Sequence, residues 1–450
     1  MTSTTSQGLL LDRPMRTMQF VIAIVCCLTN ITDGVDIASL AFAAPVLVKD
    51  WGLRPGVMAT LFGATALGLA IGSFLIAPLA DRIGRRLLML LATGTIALAM
   101  LLTAATTNVM QLAALRFATG LCLGTLAVCL NIVVSEFSNA RWRNMTVAFL
   151  HVGFSIGTMV GGTFAALLLV PFGWRSMFLA TGLMNAVTFL LVLLLIPESP
   201  SFLIARGGAR ALDHLNRVLA RIGQQPVDAL PAAMAASAKA KLAALLGSAQ
   251  LSSTLALWVA QFAFAVISYL LLNWKPTVLV NAGLTPAQAG LGGLASGIAG
   301  ILGHIVVGYT SRDGREARST MVFLFLLCIS LLLFGLQPAS AWGLILSAGF
   351  TSFCNVGVFT GLLLIGLNYF PAAVRTASVS LLVGIARLGA ITGPLFGGLL
   401  LELGFARGGM FLVLAGVSLL PIVALYFAML GWGRASIGTT RERSLLHQSG

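Results

Sequence analysis

Twelve stretches of this chain run for about twenty residues or more with almost no charge, and that pattern restricts the fold more than any other feature. They lie near 18–47, 56–80, 87–106, 109–135, 144–170 and 175–196, then 253–280, 286–309, 320–337, 342–369, 376–403 and 408–431. At a helical rise of ~1.5 Å per residue, about twenty apolar residues cross the ~30 Å hydrocarbon core of a bilayer. No water is available there to backbone N–H and C=O groups, so each crossing segment must satisfy its own, as a helix does. The expected fold class is therefore all-α integral membrane, with 12 transmembrane helices. Composition agrees: 58% of residues are apolar and 9% charged, against roughly a quarter charged in soluble domains. The 49 glycines suit helices that pack through small residues.

The runs fall into six, a break, and six. This predicts a tail over 1–17, a six-helix bundle over 18–196, a linker over 197–252, a second bundle over 253–431 and a tail over 432–450. The Ala-rich part of the linker is expected to form a surface helix. Net charge is +14, but the basic residues sit in short clusters between spans, so they report topology and give no reason to expect a nucleic-acid partner. Arg82/Arg85/Arg86, Arg141/Arg143, the linker, Arg312/Arg315/Arg318 and Arg375 fall on one side, while Lys49/Arg54, Arg175 and Arg407 fall on the other. By the positive-inside rule both tails are cytoplasmic. The second half repeats the first: with Gly157 set against Gly389 and Gly161 against Gly393, Ser155 falls where Arg387 falls. Such repeats build two related bundles that face each other across a central cavity.

Of the 13 acidic residues, only Asp33 and Asp36 lie well inside a span. Spaced i, i+3, they share a helix face. A carboxylate at that depth is costly and commonly lines a cavity that handles protons, ions or substrate, although a structural contact is the plainer alternative. The same filter applied to basic residues leaves Arg116 and Arg387. Counting rise from the expected entry points puts Asp33 ~20 Å from the cytoplasmic side and Arg116 ~10 Å from the outside, so a pairing of Arg116 with Asp33 or Asp36 is geometrically open. Arg387, ~16 Å above Thr376, has no carboxylate of its own at that depth, and an anionic substrate would supply one. His151 and His304 are weaker candidates, since a lone histidine is more often a helix contact than a proton relay. Tyr269, Asn273, Trp274 and Lys275, in YLLLNWKPT, either anchor the interface or stack on a ring-shaped ligand.

Several chemistries are excluded. None of the four lysines follows a glycine, so no Walker A loop is present. Cys26, Cys27, Cys122, Cys129, Cys328 and Cys354 all fall in apolar runs without metal-ligand spacing, and four histidines cannot build clustered iron sites. No metal, cofactor or enzymatic activity is expected.

The run APLADRIGRR, Ala77 to Arg86, closely resembles the loop signature of the major facilitator superfamily, with Ala77 in place of its first glycine. RFATGLCLG (Arg116 to Gly124) and PESPSFL (Pro197 to Leu203) resemble that superfamily's fourth-span and mid-chain motifs, while GYTSRDGR is a degenerate second copy of the loop with Ser311 where an Asp would be. More specifically, DGVDIASLAFAAPVL (Asp33 to Leu47), YLLLNWKPTVLVNAG and YFPAAVRTASVSLLVGIARLGAITGP resemble three patterns of the aromatic acid:proton symporter family. Lys275 departs from the apolar residue usual between its Trp and Pro.

The resemblance implies proton-coupled uptake of a benzoate-like or hydroxylated aromatic carboxylate by a multi-pass protein of the bacterial inner membrane, expected to be a monomer. It implies Asp33 and Asp36 in proton coupling, with Asp36 also at the substrate, and Arg116, Arg387, Tyr269, Asn273 and Trp274 in substrate recognition. It makes Asp81, Arg82, Gly84, Arg85, Arg86 and Glu136 a cytoplasmic gate latch, expected to pair with helix ends of the opposite half only while the inside is shut. A proton-coupled exporter or drug antiporter on the same scaffold is the first alternative, and a non-transporting membrane receptor the second. Cationic drugs would favour unpaired carboxylates, whereas the deep residues here are two arginines against two aspartates.

Overall fold

A computed structural model describes Leu10 and residues 13–230, 251–311, 314–368 and 372–448, apart from the side chains of Asn144, Asn368, 372–377, Ser380 and 431–448. The described chain is helical. α1 covers Thr17–Trp51; α2, Pro55–Ile71, continues through a π turn and a 3-10 turn into the short α3, Ala80–Ile83. Then come α4 (Arg85–Thr103), α5 (Val109–Phe137), α6 (Arg143–Phe172) and α7 (Trp174–Leu195). Two short helices follow, α8 (Pro200–Arg206) and α9 (Ala209–Arg221). The remainder comprises α10 (Leu251–Asn281), α11 (Pro286–Thr310), α12 (Glu316–Leu336), α13 (Ala341–Asn368), α14 (Ala372–Glu402) and α15 (Arg407–Gln448).

Among the described residues, 12 helices are long and apolar enough to cross a membrane. Most run a few residues past the apolar stretches that announced them. The first extends over Thr17–Trp51 and the second over Pro55–Ile83, because a helix continues into the interfacial layer until a stop such as the left-handed Gly52 ends it. Within the linker the helices are α8 and α9; the Ala-rich part expected to form a surface helix lies outside the described residues.

Two compact units emerge, Met1–Ala236 with Leu284–Gly297, and Ser237–Gly283 with Ile298–Gly450. In the first, α1 packs along α6 and α7, α2 on α5, and α4 on both α5 and α7. Glycines set these distances. A Cβ on Gly120 would stand 2.1 Å from the Thr65 carbonyl oxygen, and one on Gly34 would stand 2.6 Å from that of Phe154. Backbones that approach this closely make up in dispersion for the hydrophobic drive that lipid does not supply. Leu284–Gly297 groups with the first unit through the same device: a Cβ on Gly290 would stand 2.6 Å from the backbone nitrogen of Ala166. In the second unit α10 packs on α14 and α15, and α12 on α13 and α15.

Candidate transport site

In the first unit Asp33 and Asp36 are both interior, 5% and 1% exposed. Their surroundings differ. Asn185, on α7, donates from Nδ2 to Asp36 Oδ1 at 2.8 Å. The same nitrogen donates to the Thr181 carbonyl at 3.0 Å. A carbonyl only accepts, so Thr181 fixes the orientation of the amide, and Asp36 is met by an N–H. Asp36 Oδ2 and Asp33 Oδ1 have no hydrogen-bond partner among the described residues.

Arg116, 1% exposed, makes no ion pair with Asp33 or Asp36, a pairing that the depths had left open. Its Nη2 lies 3.0 Å from both Met100 Sδ and Thr103 Oγ1 on α4, and its guanidinium sits 5.0 Å from the centre of the Phe178 ring. Depth matched Arg116 to Asp33, but rise along an axis says nothing about direction around it. The offset of about 60° between positions i and i+3 turns Asp36 toward Asn185.

In the second unit Arg387 is half-buried on α14. Its Nη1 reaches the Tyr269 hydroxyl of α10 at a long 3.5 Å, and its buried Nε has no partner. No carboxylate of the described chain pairs with it, as the depth estimate anticipated. Asn273 Nδ2 donates to the Tyr269 carbonyl at 2.8 Å. Trp274 is 1% exposed, donates to the Pro394 carbonyl at 2.8 Å and lies over Gly397. It therefore packs α10 against α14. Lys275 joins α10 to α13 through the Ala348 carbonyl at 3.3 Å and Ser352 Oγ at 2.5 Å. His151 meets Asn131 Oδ1 at 3.1 Å and His304 meets Thr360 Oγ1 at 2.7 Å, both contacts between helices.

The expected latch residues form a network inside the first unit. Arg85 is its hub, with Nη2 3.0 Å from Asp81 Oδ1 and Nη1 3.1 Å from Glu136 Oε1. The same Nη1 donates to Ser199 Oγ at 2.6 Å and Ser201 Oγ at 2.8 Å, and both hydroxyls donate to Glu136. Glu198 Oε1 accepts the backbone N–H groups of Arg85, Arg86 and Ser199. Arg86 donates to the Leu193 carbonyl at 2.8 Å, while Arg82 is exposed. These contacts bind the turn to its own unit. Gly84 is required twice: its φ is +99°, and a Cβ there would stand 2.4 Å from the Glu198 carboxylate.

Sequence reasoning missed Asn185, since a filter for charge passes over a neutral amide. It also missed Glu198, which it read as a loop residue although PESPSFL carried the signal.

Residues 26–373 match the family model described as Major Facilitator Superfamily. The chain belongs to the Major Facilitator Superfamily. Within the superfamily it is 32% identical to the gallate transporter of Pseudomonas putida, over 95% of each chain. It is also 32% identical to the 4-hydroxybenzoate transporter PcaK of Pseudomonas aeruginosa, over 89% of this chain and 90% of that one. These relatives bear out the resemblance drawn from the three family motifs. The fold is that of the superfamily as well: the partially occluded, inward-open xylose transporter XylE from E. coli superposes with a TM-score of 0.69 at 17% identity, covering 91% of this chain and 99% of that chain. A bacterial homolog of the lysosomal transporter Spinster also scores 0.69, at 15% identity and covering 93% and 98%. The chain is a membrane transporter and not an enzyme.

Proposed function

We propose that this protein is a proton-coupled symporter that takes up an aromatic carboxylate by alternating access. The observation that carries the substrate class is Arg387, a half-buried guanidinium that has, among the described residues, no carboxylate partner and an unpartnered buried Nε, beside the Tyr269 hydroxyl. A planar fork of N–H donors suits a carboxylate bidentately, and the adjacent phenol gives a flat face and a polar tip for a ring. The gallate and 4-hydroxybenzoate transporters among its relatives support a hydroxylated benzoate.

Proton coupling rests on the charge count in the first unit. With both aspartates ionised, Asp33, Asp36 and Arg116 sum to −1, and the buried cluster repels an arriving anion. With a proton on one of them the sum is zero. Low-dielectric surroundings enlarge that difference. Proton and substrate then favour each other's binding, which is the thermodynamic condition for symport. Asp36 is held by Asn185 through Oδ1, whereas Asp33 Oδ1 has no partner among the described residues, so Asp33 is the proton carrier in this account.

In this account the halves 18–196 and 253–431 rock about the bound solutes, with the linker 197–252 and both tails on the cytoplasmic side of a bacterial inner membrane. The Arg85 network stiffens the cytoplasmic turn during that motion. An exporter of cationic drugs fits less well, because Arg387 would repel its cargo. Uptake of labelled 4-hydroxybenzoate into proteoliposomes tests the reading: an inwardly directed proton gradient should drive accumulation, and a protonophore should abolish it. Equal uptake with and without the gradient would refute coupling.

A further inference from the structure

Where α7 ends, a cavity of about 140 Å³ opens between Pro197–Glu198, Arg86 at the start of α4, and one face of α9. α9 is amphipathic: Ala211, Leu215, Val218 and Leu219 are buried, while His214, Arg217 and Arg221 are exposed. Arg86 and Arg221 hydrogen-bond to the last carbonyls of α7, on Leu193 and Leu194, which draws both guanidinium groups to the cavity that Arg217 also lines. Against these three cations the lining has one carboxylate, Glu198, whose Oε1 is already occupied by three backbone N–H groups. The buried Nε of Arg86 has no partner among the described residues. The cavity is thus a converging set of guanidinium donors with an excess of positive charge, which is the chemistry that recognises phosphate.

A second observation indicates what carries the phosphate. Leu87 and Leu91 of α4, and Leu190 and Leu194 of α7, are exposed on two neighbouring helices. Leu87 follows Arg86 in sequence, and Leu194 carries the carbonyl that Arg221 meets, so exposed apolar side chains are tied to two of the cations that line the cavity. Its volume is well below the ~300–1,000 Å³ of pockets that enclose a drug-sized molecule, so it accommodates a head group and leaves the rest of the ligand outside. We propose that this cavity binds the phosphate head group of an anionic phospholipid, whose acyl chains lie along Leu87, Leu91, Leu190 and Leu194. Basic pockets at the ends of spans on the positive side of a membrane protein suit this use.

The test uses the purified full chain, with native mass spectrometry and thermal shift against phosphatidylglycerol, phosphatidylcholine and inorganic phosphate. Phosphatidylglycerol should bind at least tenfold more tightly than phosphatidylcholine and raise the apparent Tm, and inorganic phosphate should not. In the Arg217→Gln/Arg221→Gln variant that preference should fall to within about twofold. Arg217→Gln alone, which alters an exposed side chain hydrogen-bonded within its own helix, should lose part of the preference with its Tm in phosphatidylcholine unchanged. Equal binding of the two lipids, or a preference that survives both substitutions, would overturn the proposal. An equal Tm rise with inorganic phosphate would mark a soluble-anion site and overturn the lipid assignment. Transport activity does not enter the readout, so the result is independent of the symport reading.

Discussion

Asp33 and Asp36 are three residues apart on one helix, yet one is held by an amide and the other is not. Asn185 makes that difference, and it predicts a division of labour. Asn185→Leu removes the N–H from Asp36 and leaves a buried carboxylate without its donor, a loss of ~1–3 kcal/mol of local stabilisation. Uptake should fall at least tenfold, while Asn185→Gln, which keeps the amide, should recover part of it; proteoliposome uptake of the two variants side by side provides the check. Arg387 permits a similar comparison. Arg387→Lys keeps the charge and loses the planar fork, so binding of 4-hydroxybenzoate should weaken about tenfold, and Arg387→Ala should abolish it. Wild-type affinity in Arg387→Ala, measured by calorimetry, would remove this residue from the site. The interior placement of Asp33, Asp36 and Arg116, and the half-buried one of Arg387, were legible in the sequence because charge is rare in a span. The partners of Arg116 were not, because sequence spacing does not place Thr103, Met100 and Phe178 around one guanidinium.

At the scale of elements, the turn from α3 to α4 shows how a local rule and a distant contact coincide. Gly84 has a left-handed φ and also lies under the carboxylate of Glu198, more than a hundred residues further along the chain. Gly52 has a similar φ, +63°, with nothing within 4 Å of its missing Cβ. Gly52→Ala should therefore cost only the backbone strain, about 1–2 kcal/mol. Gly84→Ala should cost more, because Glu198 must move and release the N–H groups of Arg85 and Arg86. Thermal unfolding in detergent should place the Gly84→Ala transition clearly below that of Gly52→Ala; equal transitions would mean that Glu198 is not holding the turn. The helices themselves were legible from apolar length alone, and their ends were not, since a helix does not stop where the hydrocarbon stops. The network around Arg85 was visible only as separate motifs, because α5, α8 and the α3–α4 turn come together through tertiary packing.

For the whole molecule, the sequence reading and the structure agree on twelve apolar helices in a major facilitator fold, and they agree because bilayer thickness and backbone satisfaction leave few alternatives. What the pattern of runs did not disclose is that Leu284–Gly297 groups with the first unit, which depends on glycine contacts that no periodicity encodes. Function at this scale is coupling, and it has a sharp consequence. A carrier whose proton site is fixed in its neutral form can still exchange substrate for substrate, since exchange needs no net proton movement, but it can no longer accumulate substrate against a gradient. Asparagine has the shape of a protonated aspartate and cannot change its charge. The measurement that tests the account most directly is therefore gradient-driven accumulation of 4-hydroxybenzoate against substrate exchange, in proteoliposomes containing Asp33→Asn or Asp36→Asn. The account predicts that Asp33→Asn loses accumulation and retains exchange, while Asp36→Asn, which removes the carboxylate that Asn185 holds, is impaired in both. Accumulation at the wild-type level in Asp33→Asn would contradict it.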